Sequence, residues 1–204
     1  MPRAKLRTPA LKEKVIGAAV STLARDASGF STRQVARDAG TSPAAIYELF
    51  DDRSGLLRAV FFEGFRLLGD YFRRVVTTDD AVEDLRRLFN VFRLFVQENP
   101  GMANLMFSRP FPDFHPGPDE AAAGAFTRRT MTVCVGRCIE AGRLVGTPTD
   151  LAHVFLALAQ GLAVQETAGW LGTSVASTNR RWALAFDLFL RPGPASVPNP
   201  SNGA

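Results

Sequence analysis

Basic, hydroxyl-bearing and small side chains are gathered in one short stretch of the sequence, residues 31–53. Arg33 and Arg37 lie four residues apart, so on a helix they share one face and can each donate hydrogen bonds to a phosphate oxygen. Further along, Ser42 and Pro43 form a pair that is typical of a helix start, and two alanines follow them. The chemistry that this pattern favours is noncovalent recognition of a polyanion.

Local signals place those side chains on two short helices joined by a tight turn. Ser31 and Gln34 predict a capping box, in which the serine oxygen accepts from the amide of residue 34 and the glutamine side chain reaches back. Gly40 ends the first helix, and the second begins at Pro43. This is the form of a helix-turn-helix, whose second helix enters the DNA major groove while the first helix holds phosphates. The spacing alone also fits a helical corner of an ordinary bundle.

The net charge of +4 is located entirely in the first quarter of the chain. Residues 1–50 contain eight Lys or Arg and four Asp or Glu, whereas residues 51–204 contain sixteen of each. A basic end on an otherwise neutral protein favours a nucleic-acid partner over a membrane, because no long basic amphipathic helix is present. On charge alone, a solvated basic face without a partner is an equally good interpretation.

The composition and spacing predict an all-α protein. With 204 residues, of which 46% are hydrophobic and 22% charged, the chain is neither disordered nor fibrous. No apolar run approaches the roughly 18 residues that cross a bilayer, and no signal peptide is evident, so the expected location is the cytoplasm. Apolar residues recur three or four positions apart, which predicts nine helices. Among them are a fourth helix running from Asp52 toward Val76, one long helix over about residues 119–144, and another from Pro148 to Trp170.

The stretch from Ser31 to Arg53, with the letters STRQVARDAGTSPAAIYELFDDR, followed by Leu56 and Leu57, resembles the N-terminal DNA-binding domain of the TetR family of transcriptional repressors. The resemblance covers about residues 9–65. It implies a homodimer that reads a palindromic operator, with a larger C-terminal helical domain for dimerisation and effector binding. The implied domains are a basic N-terminal arm over 1–8, a DNA-binding domain over 9–70, an effector and dimerisation domain over 71–191 and a disordered tail over 192–204.

The resemblance also assigns roles within the helix-turn-helix. Tyr47 takes the position of a tyrosine that contacts phosphate, Arg53 that of a basic residue that grips phosphate, and Ser42 lies among positions that contact or approach bases. The predicted DNA-binding residues are Thr32, Arg33, Arg37, Thr41, Ser42, Pro43, Ala44, Ala45, Tyr47 and Arg53.

The C-terminal half predicts a sensor domain for a small molecule. Residues 99–107 and 160–163 show a weak resemblance to a TetR subgroup whose ligand domain carries a Trp/His-Gly type signature. Phenylalanines, methionines and a cysteine recur on the inward faces, and such an interior can hold an adaptable, mainly apolar or aromatic effector. Simple core packing is the alternative for each of them. The predicted effector-binding residues are Phe89, Phe92, Met102, Met106, Phe107, Phe126, Met131, Cys134, Phe155 and Leu158.

The last two helices predict a dimer interface. One face of the helix from Pro148 carries small residues that permit close approach of a partner helix, and the last helix carries an aromatic stripe. Packing within one chain is the competing explanation. The predicted interface residues are Val154, Ala157, Gly161, Val164, Ala168, Trp182, Phe186 and Phe189.

The sequence offers no signature of catalysis, of a metal site or of a cofactor. The pattern Asp150-x-x-His153 occurs once, whereas a di-iron bundle needs Glu-x-x-His on two helices. No nucleophile elbow, Walker loop or dinucleotide fingerprint occurs. Cys134 and Cys138 lie four apart without nearby histidines, which favours buried thiols over a metal or redox site. The prediction is therefore a non-enzymatic repressor without metal or cofactor, and the alternative is an effector-independent DNA-binding regulator or activator.

Overall fold

The computed structural model describes residues 8–25, 30–108, 115 and 117–190. Within these residues the secondary structure is entirely helical, which confirms the predicted all-α fold. The predicted arm, apart from Thr8, lies outside the described residues, as do the predicted tail and most of the proline-rich connection. The ten helices are α1 (Pro9–Arg25), α2 (Thr32–Asp38), α3 (Pro43–Phe50), α4 (Arg53–Arg73), α5 (Ala81–Glu98), α6 (Pro100–Ser108), α7 (Pro118–Ala123), α8 (Ala125–Glu140), α9 (Pro148–Thr167) and α10 (Val175–Phe189).

The described residues form ten helices where about nine were predicted, because the expected long helix over residues 119–144 is two helices. The break falls at Gly124, where a side chain would meet the ring of Phe65 at about 3.0 Å, so the glycine lets the α7–α8 junction lie directly against α4. The end of α8 is earlier than expected because Gly142 has a positive φ of 69°. There the amide of Arg143 donates to the carbonyl of Cys138, which closes the helix.

Most of the predicted helix starts are confirmed by their caps. The side chains of Ser42, Asp52 and Thr147 each accept a hydrogen bond from the amide three residues later. The capping box at α2 is only half formed. Ser31 accepts from the amide of Gln34 at 3.3 Å, but the Gln34 side chain donates to Asp38 at 2.7 Å instead of reaching back. The glutamine is therefore part of the surface network along α2.

The chain forms two compact units, whose boundaries fall in the α4–α5 connection, within α5 and within α8. The first comprises residues 1–75 and 90–128, and the second comprises 76–89 and 129–204. In the first unit α4 packs against α1, α3, α6 and α7, and α1 also packs against α2 and α6. In the second unit α9 packs against α10. The predicted boundary between residues 70 and 71 remains a prediction.

Two glycines allow close helix packing in the first unit. A side chain at Gly64 of α4 would collide with the thioethers of Met102 and Met106, so these methionines lie directly on the α4 backbone. A side chain at Gly101 of α6 would collide with the backbone of Leu23 in α1. The absence of Cβ atoms at these two positions thus determines how α6 rests on α4 and α1.

The second unit has an aromatic core. The ring of Phe89 lies 4.9 Å from that of Phe155, 4.8 Å from that of Trp182 and 5.7 Å from that of Phe186, measured between centroids. The indole nitrogen of Trp182 donates to Glu166 at 2.7 Å, so its one polar group is satisfied. In the described part of the chain, no helix is long and apolar enough to span a membrane.

Candidate nucleic-acid interface and sensor region

The turn between α2 and α3 is built around Gly40, which has a φ of 63°. The amide of Gly40 donates to the carbonyl of Arg37 at 3.0 Å, and the amide of Thr41 donates to the carbonyl of Ala36 at 2.9 Å. This pair of bonds is a Schellman motif, and glycine suits it because a left-handed backbone clashes with a Cβ atom. Ser42, the N-cap of α3, follows Gly40 after one intervening residue, as the sequence predicted.

Helix α3 has one buried face and one exposed face. Ile46 and Phe50 are buried, as are Val35 and Ala36 of α2, and these four side chains form the apolar side of the motif. On the other side, the first turn of α3 and the ring of Tyr47 are open to solvent. The predicted contact residues Ser42, Pro43, Ala44 and Tyr47 are exposed, and Thr41 and Ala45 are half-buried.

Thr32 lies buried at the start of α2. Its side chain is only 8% exposed, and its hydroxyl lies 3.2 Å from the hydroxyl of Tyr47. Thr32 is the first residue of α2, so this hydrogen bond joins the start of α2 to the exposed tyrosine of α3. A direct contact between Thr32 and DNA remains a prediction. The buried hydroxyl of Thr32 is placed to orient Tyr47.

The exposed side of α2 carries the two predicted arginines. Arg33 and Arg37 are both exposed, and Arg37 donates to the Gln34 side chain. The neighbouring acid, Asp38, is engaged by Arg25 of α1, and this hydrogen bond lowers the pKa of Asp38 below its ordinary value. Asp38 is therefore ionised at neutral pH and ties α2 to α1.

The start of α4 contains a strained turn that the sequence did not reveal. Asp51 has a φ of 66° and a ψ of −55°, and the amide of Asp52 donates to the carbonyl of Phe50 at 2.8 Å. These values describe a γ-turn of the rare, strained kind. Gly55 is needed beside it, because a Cβ atom there would collide with the Phe50 carbonyl. The turn places Arg53 with its guanidinium carbon 5.7 Å from the centre of the Phe30 ring.

The ten predicted effector-binding residues divide equally between the two units. In the first, Phe92 and Phe107 are 5.5 Å apart between ring centroids, and Phe107 meets the edge of Phe65 at 6.2 Å. Met102 and Met106 are buried against Gly64. Phe126 was expected on an inward face, but it is 42% exposed. It lies instead beneath the guanidinium of Arg73, whose central carbon is 4.4 Å from the ring centre.

The other five predicted effector-binding residues lie in the second unit. Phe89 and Phe155 stack within its core, Met131 and Cys134 are buried, and Leu158 is half-buried. Burial raises the pKa of Cys134 to about 12, and burial likewise raises the pKa of Cys138. Both sulfurs face the carbonyl of Ala81, at 3.9 Å and 3.2 Å. The prediction of buried thiols is confirmed, and the described residues contain no cluster of potential metal ligands.

A buried ion pair in the second unit was missed by sequence reasoning. The carboxylate of Asp84 lies 2.6 Å from Nη1 of Arg137 and also accepts from the amide and hydroxyl of Thr78. Burial alone would raise the pKa of Asp84, but the hydrogen bonds from Arg137 and Thr78 lower it below its ordinary value of 3.8. The pair connects the start of α5 to α8 across more than fifty residues of sequence, so no local pattern indicates it.

The predicted interface residues separate into an exposed set on α9 and a buried set on α10. Val154, Ala157, Gly161, Val164 and Ala168 are all exposed. Trp182 and Phe186 are buried against the Phe89 ring of their own chain, so their assignment to an exposed interface was wrong. Phe189 is half-buried and stacks on Phe155 at 4.7 Å. The exposed apolar side chains of α10 are instead Leu184 and Leu188.

An all-α chain that carries a capped helix-turn-helix is typical of DNA-binding regulators. Residues 15–60 match the bacterial regulatory proteins of the tetR family, and residues 85–189 match the tetracyclin repressor-like C-terminal domains. The chain belongs to the TetR family. Curated relatives include HTH-type transcriptional regulators of Mycobacterium bovis and Mycobacterium tuberculosis, each 29% identical over 105 residues, which is 50% of this chain. That match spans 44% of each relative's length.

Solved structures share the fold over most of the chain. A protein of unknown function from Rhodococcus sp. RHA1 has a TM-score of 0.73 and 25% identity, and the match covers 91% of this chain and 98% of that protein. A tetR-family regulatory protein from Rhodococcus RHA1 has a TM-score of 0.69 and 17% identity, with coverages of 89% and 98%. AibR in complex with isovaleryl coenzyme A and operator DNA has a TM-score of 0.67 and 17% identity, with coverages of 86% and 98%.

Proposed function

We propose that this protein is a transcriptional repressor that binds a palindromic operator as a homodimer and is released by a small, mainly apolar or aromatic effector. The observation that carries the DNA-binding part is the exposed first turn of α3, which follows the Gly40 turn on the helix that also carries the exposed Tyr47; Arg33 of α2 and Arg53 of α4 lie on the adjoining helices. Small side chains there allow close approach to base edges, and the surrounding basic and hydroxyl groups suit phosphates. Family membership supports the same conclusion.

Dimerisation is supported by the exposed apolar face of α9. Val154 and Val164 are each more than half exposed, and Gly161 between them carries no side chain that would keep a partner helix away. Leu184 and Leu188 of α10 add a second exposed apolar stripe. Two such helices from each protomer can form a four-helix interface with twofold symmetry.

Release by an effector requires that the effector bind the DNA-incompetent arrangement better than the DNA-competent one. A hundredfold loss of DNA affinity corresponds to a coupling free energy of about 2.7 kcal/mol, and the coupling is reciprocal. A protein with the same fold, AibR, has been captured with both isovaleryl coenzyme A and operator DNA, which supports an effector as well as an operator for this chain. The aromatic and methionine side chains of the interior support an apolar ligand.

Analytical ultracentrifugation and footprinting on DNA selected from a random pool test the proposal. We expect dimers that protect two related half-sites about one helical turn apart, or a multiple of it. A stable monomer on a single asymmetric half-site would contradict the dimeric repressor. Titrating metabolite pools with and without operator then tests release: equal effector affinity in both conditions, or no effector at all, would favour an effector-independent regulator or activator.

A further inference from the structure

One buried hydroxyl in the first unit lacks the hydrogen bond that comparable side chains in this chain possess. Thr127, in the first turn of α8, is 4% exposed, and its Oγ1 has no hydrogen-bond partner among the residues that the structure describes. Thr22 of α1 is equally buried, but its hydroxyl donates to the carbonyl of Ala18 at 2.9 Å. Leaving a buried hydroxyl unpaired is unfavourable, so such groups in native proteins need an explanation.

The chain neighbours of Thr127 lie along one side of α4. Gly124 is one helical turn before Thr127 and contacts the Phe65 ring, and Phe126 lies next to Gly69. The first turn of α8 therefore rests on α4 between Phe65 and Gly69. Phe65 is in turn in edge contact with Phe107, whose ring packs on Phe92. The ring of Phe61 lies 5.0 Å from that of Phe65, between centroids. These aromatic rings form what we term the Phe65 cluster, defined by Phe61, Phe65, Phe92 and Phe107.

Two buried or half-buried charged side chains near this end of α8 have partners of their own, whereas Arg129 is exposed. Glu120 of α7 is buried and lies 2.5 Å from Nε of Arg58, and the Arg128 side chain donates to the carbonyl of Ala121. Both groups are thus occupied by contacts within the protein. The group that fits a threonine hydroxyl among aromatic rings is a neutral oxygen acceptor, since a charged one would lose its hydration without an opposite charge.

We propose that the Thr127 hydroxyl is the polar anchor of the effector site, donating a hydrogen bond to a carbonyl oxygen of an aromatic ligand that packs on the Phe65 cluster. This inference rests on the proposed sensor function and narrows its ligand to a neutral aromatic carbonyl compound. It also explains why an unpaired hydroxyl occupies a position where valine, which has the same shape, would fill the space.

The first arm of the test needs no ligand. Thermal unfolding of the full chain is compared for the unsubstituted protein, Thr127→Val and the matched control Thr22→Val. Replacing an unpaired hydroxyl by a methyl group should leave the unfolding midpoint unchanged or raise it by about 2 °C, whereas Thr22→Val should lower it by about 2–4 °C because it removes a formed hydrogen bond. An equal loss in both variants would show that Thr127 has a partner inside the protein and would overturn the inference.

The second arm uses two probes of the same shape, acetophenone and α-methylstyrene, which differ only by oxygen in place of a methylene group. Ligand-observed NMR should give acetophenone about fivefold to tenfold tighter binding, although the alkene is the more hydrophobic compound. The preference should reverse in Thr127→Val and persist in Thr22→Val. An unchanged preference in Thr127→Val, or no binding of either probe, would overturn the anchor. Operator binding measured on the same samples remains a separate result, so its loss would count against the proposed function and not against Thr127.

Discussion

The hydroxyl of Thr32 lies 3.2 Å from that of Tyr47, so a buried side chain at the start of α2 is hydrogen-bonded to an exposed side chain on α3. The two residues are fifteen positions apart, on different helices. A tyrosine held in this way loses little rotational freedom when its ring or hydroxyl meets a DNA phosphate, because its orientation is already fixed.

We predict that Tyr47→Phe weakens DNA binding about tenfold, because it removes the hydroxyl that we propose contacts phosphate while keeping the ring. Thr32→Val should produce a smaller loss, since it releases the orientation of Tyr47 but leaves the hydroxyl in place. Fluorescence anisotropy with operator and nonspecific DNA measures both. Since the lost contact is not ionic, the dependence of affinity on salt should not change. A larger loss of DNA affinity in Thr32→Val than in Tyr47→Phe would contradict this assignment, in which Tyr47 contacts phosphate and Thr32 orients it.

Arg33→Ala should weaken binding to all DNA sequences alike. If each protomer's Arg33 neutralises one phosphate, the slope of log affinity against log salt should fall by about 1.8 for the dimer, at about 0.9 per phosphate. Arg143→Ala serves as the control, because Arg143 is exposed but lies after α8, outside the helix-turn-helix. An unchanged slope together with an altered base preference would reassign Arg33 to base readout.

Val164→Glu should convert the proposed dimer to a monomer, because it places a charge on the exposed apolar face of α9. The matched control is Val145→Glu, in the connection before α9, where the valine is 74% exposed. Sedimentation velocity should show monomers for the first variant and dimers for the second. The monomer should also lose operator affinity, since only one half-site can then be occupied at a time. Dimers of Val164→Glu would exclude this face as the interface.

Asp84→Asn should destabilise the protein by about 3–5 kcal/mol at neutral pH, because it leaves the partly buried Arg137 without its carboxylate. Glu83→Gln, on the same helix but in exposed pairs with Arg86 and Arg87, should cost less than about 1 kcal/mol. Because folding lowers the pKa of Asp84 from 3.8, its contribution is fully present well above that pH and is lost as the pH falls through the folded pKa. Urea unfolding between pH 3 and pH 7 should therefore show a smaller pH dependence below about pH 5 in Asp84→Asn than in the unsubstituted protein.

The two thiols should react slowly in the native protein. With the pKa of Cys134 raised to about 12 and that of Cys138 also raised, neither is ionised at pH 8, and only the thiolate is an effective nucleophile. Iodoacetamide labelling followed by mass spectrometry should give both cysteines native rates at least about a hundredfold below those in urea. Rapid native labelling of either cysteine would contradict the buried environment.

Features that depend on neighbouring residues could be predicted from the sequence, whereas features that depend on distant contacts could not. The Ser42 cap and the Gly40 turn follow from local hydrogen-bonding rules, and both are present. The Asp84–Arg137 pair has no such signal, because its partners meet only after α5 and α8 pack. Likewise, α10 has two apolar stripes, and periodicity cannot tell that Trp182 faces the chain's own core while Leu184 faces outward.

The close contact of Gly101 with the backbone of Leu23 affects both the truncation of the protein and its folding during synthesis. Helix α1 packs on α2 of the helix-turn-helix, yet part of its surface is covered by α6, which is synthesised later. A fragment that stops after α4 would contain every predicted DNA-binding residue. It would still expose the apolar side of α1 and α4 that α6 covers. During synthesis, the helices that carry the helix-turn-helix therefore reach their final packing only after Gly101 has emerged from the ribosome.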